Sequence, residues 1–115
     1  MDYKTARQFL IEQGTALETQ NDPNSFLMHL AQGQAPIPGQ VTSILLALKI
    51  VFDVLQIETT LDRDFVLALY LLALESQQIF EAGQRRGVQW PPLLKEDLNR
   101  IAVAVKSILA GQWYG

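Results

Sequence analysis

Two consecutive segments of this chain, about residues 39–57 and 61–74, are apolar around nearly the whole circumference of any helix they form. In the first, the polar residues Thr42, Lys49, Asp53 and Gln56 recur at spacings of seven, four and three, which draws one narrow polar stripe. The remainder runs Ile44, Leu45, Leu46, Ala47, Leu48, Ile50, Val51, Phe52, Val54, Leu55 and Ile57. The second carries the uninterrupted apolar run Phe65 to Leu74, then turns mostly polar through Glu75, Ser76, Gln77, Gln78 and Glu81, broken by Ile79 and Phe80. A helix apolar on most sides must be buried on most sides. A bilayer span needs about 20 apolar residues, and Lys49 and Asp53 interrupt the first segment, so a soluble core is expected and a membrane is not.

With 115 residues there is room for one domain, because a second core of ordinary size would need more chain. Around the apolar pair the sequence predicts three further helices. Tyr3, Ala6, Phe9, Leu10, Ala16 and Leu17 fall near helical spacing behind a capping Asp2, giving a helix over about 3–19. Gly14 inside it costs roughly 1 kcal/mol relative to Ala and invites a bend or fray. Asn21-Asp22-Pro23 reads as a cap followed by a helix-opening proline, with a short helix over about 23–32 turning Phe26, Leu27 and Leu30 inward. Pro36 and Pro38 make 34–40 an extended linker. The apolar helices follow over about 39–57 and 61–85, the second capped by Thr59-Thr60-Leu61-Asp62. Pro91-Pro92 then opens a last helix whose Leu94, Leu98, Ile101, Val105 and Ile108 form a seam, and Gly111 ends it. No strand-like alternation competes. The expected fold is all-α, a compact bundle of about five helices around a central apolar helical hairpin.

Covering two such helices with one short and two ordinary amphipathic ones is difficult. Either the remaining helices wrap them, or a second chain covers part of their surface; the expected partner is a second copy of the chain, forming a homodimer, or another protein.

Several chemistries are excluded by residue type. The absence of cysteine removes disulfides and thiolate sites. A net charge of −3 argues against nucleic acid as a partner. No phosphate loop occurs. His29 is the sole histidine, so multi-histidine metal sites are absent. Ser25 and Asp22 stand four and seven residues before it, a helical stacking that resembles a triad, but Asp22 is better explained as a cap and no strained nucleophile turn is visible. Glu58, Asp62, Asp64 and Glu75 lack the Glu-x-x-His pattern of di-metal bundles. Hence no catalytic, metal or cofactor site is expected. Met1–Gln8 shows no apolar run behind a basic start, so no signal peptide is expected and the expected compartment is the cytoplasm.

The candidate interaction residues are Arg85, Arg86 and Trp90, which with Lys95, Arg100 and Lys106 could gather into one basic patch, and the tail aromatics Trp113 and Tyr114. The tail is expected to dock, onto the domain or else onto a partner, since free aromatics are costly to leave in water. Pro36–Pro38 and Trp90-Pro91-Pro92 are further contact elements.

Through Pro38-Gly39-Gln40-Val41-Thr42-Ser43-Ile44-Leu45, Phe80-Glu81-Ala82-Gly83-Gln84, Trp90-Pro91-Pro92-Leu93-Leu94-Lys95-Glu96-Asp97-Leu98 and Gly111-Gln112-Trp113-Tyr114, the chain resembles a small uncharacterised family from cyanobacteria over nearly its whole length. Some members carry the label dethiobiotin synthetase; that enzyme uses a phosphate loop on a parallel α/β sheet, and neither is present here. The resemblance implies a bacterial cytoplasmic setting and supplies no functional residue. Two functional readings result: a non-enzymatic interaction or assembly module acting as a homodimer, and a binding protein for an apolar small molecule held between the last three helices.

Overall fold

The first helix starts where its cap predicts. The Asp2 carboxylate accepts the Thr5 backbone N–H at 2.8 Å, and in the computed structural model, which describes Met1–Gly115, α1 runs over Tyr3–Gly14. The helix expected over 3–19 is broken in two. Thr15 leaves helical geometry and its hydroxyl donates to the Ile11 carbonyl at 2.7 Å, after which α2 makes a single turn over Ala16–Thr19. Gly14 stands at this break for a packing reason. A Cβ there would overlap the backbone carbonyl of Ala68 on the neighbouring helix α5, Arg63–Arg85.

The short helix α3 covers Phe26–Ala31 and starts three residues later than expected. Asp22 is spent on a local turn, accepting from the Asn24 N–H at 2.9 Å. Ser25 is the cap instead, its hydroxyl accepting from Met28 N–H, while Gln13 of α1 accepts the Phe26 N–H at 3.2 Å. Helix α4, Gln40–Leu55, follows Gly39, whose φ of 85° suits glycine. Asp62 caps α5 as expected. Helix α6 covers Leu94–Ala110 and ends at Gly111 with φ 71°. The fold is all-α, with four long helices and two short ones.

The arrangement of the long helices departs from a central hairpin. Helix α1 packs against both α4 and α5, and α6 also packs against both. The two apolar helices therefore occupy opposite corners of a four-helix core instead of lying side by side, and the link over 56–62 crosses between corners. The chain runs alongside itself in parallel pairs. Arg7 meets Asp62 and Gly14 meets Ala68 along α1 and α5. Likewise Val41 lies beside Leu94 at the start of α4 and α6, and the Gln56 carbonyl beside Gly111 near their ends. The core forms between Ile44, Leu48, Val51 and Phe52 of α4, Phe65, Leu69 and Leu72 of α5, Leu98 and Ile101 of α6, and Leu10 of α1.

Each corner helix keeps an outward face. On α4 and at the Gln56 that follows it, the polar stripe Thr42, Lys49, Asp53 and Gln56 is exposed as predicted, but so are Leu46 and Val54. On α5, Leu67 and Tyr70 are 49% and 52% exposed. Helix α5 alone is long and apolar enough to cross a membrane by length and composition; here Phe65, Ala68, Leu69 and Leu72 build the bundle core.

The α1–α5 crossing gives a direct test. Substituting Gly14→Ala gains about 1 kcal/mol of helix propensity but forces a methyl into the Ala68 backbone, and overpacking costs about 1–3 kcal/mol. Urea denaturation should show a net loss of stability; an unchanged or raised midpoint would contradict the close crossing.

Candidate interaction surfaces

The sequence-derived candidates separate into two groups. Trp90 lies in the turn between α5 and α6, where its indole N–H donates to the Phe80 carbonyl at 3.0 Å. Its ring stacks on Phe80 with centroids 5.9 Å apart and planes 25° apart. Gly83 makes room for it, since a Cβ there would stand 2.5 Å from Trp90 Cζ2. Trp90 is thus half-buried, with its one donor used inside the domain. Arg85 and Arg86 are exposed at the adjacent end of α5 and neither joins an ion pair.

Trp113 and Tyr114 belong to a different surface. After Gly111 the tail folds back along α6, and the Tyr114 N–H donates to the Ser107 hydroxyl at 2.9 Å. That hydroxyl in turn donates to the Val103 carbonyl at 2.8 Å. The Trp113 ring lies 5.1 Å from Phe52 of α4. The Lys49 ammonium sits 4.6 Å over Trp113, and the Lys106 ammonium 4.3 Å over Tyr114. Docking of the tail, expected from its aromatics, is what the structure shows. The five cations do not gather into one patch: Lys106 serves the tail, and it lies eleven positions from Lys95 on α6, roughly 16 Å at helical rise.

A groove of about 470 Å³ opens between α4, α6 and this tail. Leu45, Val103, Ala104, Trp113 and Tyr114 form its apolar walls, with Lys49, Asn99 and Arg100 at the rim. At one end of the bundle the two proline elements meet, Pro36, Ile37 and Pro38 sharing a shallow depression of about 280 Å³ with Pro91 and Leu93.

The triad-like residues are not joined. Ser25 is buried and caps α3, while His29 places Nδ1 3.1 Å from the Ala35 carbonyl and Nε2 3.5 Å from Asn24 Oδ1. No group of three His, Cys, Asp or Glu residues is placed to hold a metal ion.

The outward face of α5 is a surface that residue spacing alone did not single out. Arg63, Leu67, Tyr70, Leu74, Gln77 and Glu81 follow at spacings of four, three, four, three and four, the repeat of a coiled-coil seam. They lie opposite the buried Phe65, Leu69, Leu72 and Ser76. Leu67 and Tyr70 are exposed, and Leu74 and Gln77 half-buried.

One carboxyl is poorly matched to its surroundings. Glu75 Oε1 is buried without a hydrogen-bond partner. Burial, then the nearby Glu18 carboxylate, raises the Glu75 pKa above its ordinary 4.5. The folded chain therefore holds this proton to higher pH than the unfolded chain, and the group destabilises the fold increasingly as pH rises through that window. Glu75→Gln should raise the melting temperature at pH 7, with the difference fading below pH 4.5. An effect independent of pH, or a loss of stability at pH 7, would contradict this reading.

No protein-family model, curated protein or solved structure matches this chain. The class that fold and surfaces define is a small all-α bundle with two faces that its own helices leave open.

Proposed function

We propose that the protein is a non-enzymatic interaction module that works as a homodimer, its two copies meeting through the outward face of α5. The observation that carries this is the symmetry of that face. Pairing two copies of α5 antiparallel about a two-fold axis at residue 72 sets Tyr70 opposite Leu74, Leu67 opposite Gln77, and Arg63 opposite Glu81 of the other copy. The central Tyr70–Leu74 pairs are then apolar, and the charges at the two ends attract. An isologous interface requires this self-complementarity, and a seam of alternating three and four spacing is the pattern that lets two helices interdigitate. A heterologous partner would not require the same face to read alike from both ends.

A single helix pair falls toward the small end of stable interfaces, so the dimer is expected to dissociate in the micromolar range. Sedimentation equilibrium over a concentration series should show the mass rising from 12.9 kDa toward twice that value. Leu67→Glu, at an exposed position, should keep the melting temperature and abolish the rise. Arg63→Glu and Glu81→Arg should each weaken association by setting like charges opposite one another, and the double reversal should restore it. A strictly monomeric wild type at hundreds of micromolar, or a double reversal no better than the single ones, would overturn the proposal.

A further inference from the structure

The break between α1 and α2 opens a recess of about 190 Å³ that belongs to neither the core nor the α5 seam. Glu12, Gln13 and Thr15 line it from the break, Asn21, Asp22 and Ser25 from the turn that follows α2, and Ala16 is its one apolar residue. The two ionisable residues are both acids, and neither belongs to an ion pair of the chain, which are Arg7–Asp62, Lys49–Asp53 and Arg100–Asp97. One Glu12 oxygen accepts the Gln8 amide at 3.1 Å, and one Asp22 oxygen accepts the Asn24 N–H at 2.9 Å. Both donors are neutral, so each carboxylate keeps its second oxygen free and meets no countercharge at ion-pair distance. A second observation is independent of the acids. Gln13 is only 8% exposed. Its Oε1 accepts the Phe26 N–H at 3.2 Å, while its Nε2 donates to no group of the protein. Glu75 Oε1 is the one sealed side-chain polar atom without a partner, so the Gln13 Nε2 is reached from the recess that Gln13 lines. An amide donor at such depth calls for an acceptor.

We propose that this recess binds a small vicinal amino alcohol, a primary ammonium with a hydroxyl on the neighbouring carbon. The ammonium donates to the free oxygens of Glu12 and Asp22, and the hydroxyl oxygen accepts from Gln13 Nε2. An ammonium has donors enough for both carboxylates, and hydrogen bonds between opposite charges are the strong ones. The recess is smaller than the roughly 300–1,000 Å³ of sites for drug-sized molecules, which limits the ligand to a few heavy atoms. Its polar lining offers nothing to a long methylene spacer. A bare metal ion is short of ligands, since no three His, Cys, Asp or Glu residues converge. No residue of α5 lines the recess, so the site stands or falls whatever the mass of the protein in solution.

The test is an NMR titration of the isotope-labelled full chain, in phosphate buffer at pH 7, with 2-aminoethanol, ethylamine and ethylene glycol. 2-Aminoethanol should saturate at one per chain and shift the Gln13 side-chain amide resonances. It should bind roughly tenfold more tightly than ethylene glycol, which lacks the charge, and roughly threefold more tightly than ethylamine, which lacks the oxygen. Glu12→Gln and Asp22→Asn each keep an acceptor for the Gln8 amide and the Asn24 N–H, so the melting temperature should hold. Each should weaken 2-aminoethanol severalfold and leave ethylene glycol unaffected. Failure to saturate, equal binding of 2-aminoethanol and either other probe, or wild-type affinity in both charge-removing variants would overturn the assignment.

Discussion

The close passage of α1 across α5 is the contact on which the remaining architecture depends. Its lower end is pinned by Arg7, whose guanidinium pairs with Asp62 at 2.7 Å and lies 5.3 Å from the Phe65 ring. Further along, Gly14 brings the backbone of α1 against the Ala68 carbonyl. Once α1 lies in that groove it occupies the position beside α5 that α4 would otherwise take, and α4 packs on the far side of α1. Helix α6 then closes the opposite side against both. The same end of α1 also orders the start of α3, because Gln13 supplies an acceptor for its first amide. A bundle assembled this way buries one face of each apolar helix well and leaves the other face to solvent.

Much of this was legible in the chain itself. The all-α class, the caps at Asp2 and Asp62 and the exposed stripe Thr42–Lys49–Asp53–Gln56 follow from spacing and residue type. Hydrophobic periodicity states how much of a helix is buried, but not which neighbour buries it. For that reason the two apolar helices read as a hairpin while the structure sets them diagonally. Gly14 read as a weakness in one helix because its use lies in a contact with a residue 54 positions away. Asp22 and Ser25 are both good caps, and only the reach of Gln13 to Phe26 decides between them.

The surfaces were legible in part. Trp113 and Tyr114 stood out as aromatics needing a site, and the structure supplies it through Phe52, Lys49, Ser107 and Lys106. Trp90 drew attention for the same reason, yet its packing on Phe80 and its hydrogen bond turn it into part of the fold. The α5 seam was hidden in a run apolar on all sides. It emerges only when the buried residues are subtracted and the rest are seen to repeat at three and four. Both open surfaces thus arise from one cause, the separation of α4 and α5 to opposite corners, and each presents chemistry of its own: a seam of alternating three and four spacing on α5 and an apolar groove beside α4.

Because the chain contains no cysteine, single labels can report the seam directly. Spin labels placed at Gln78 or at Gln84 of α5 should each give one distance between the two protomers. An antiparallel pair centred on residue 72 makes the Gln84 distance longer than the Gln78 distance by about 18 Å, from the helical rise of 1.5 Å per residue counted on both chains. Equal distances at the two positions, or no dipolar coupling at either at concentrations where the protein is dimeric, would contradict an interface on this face.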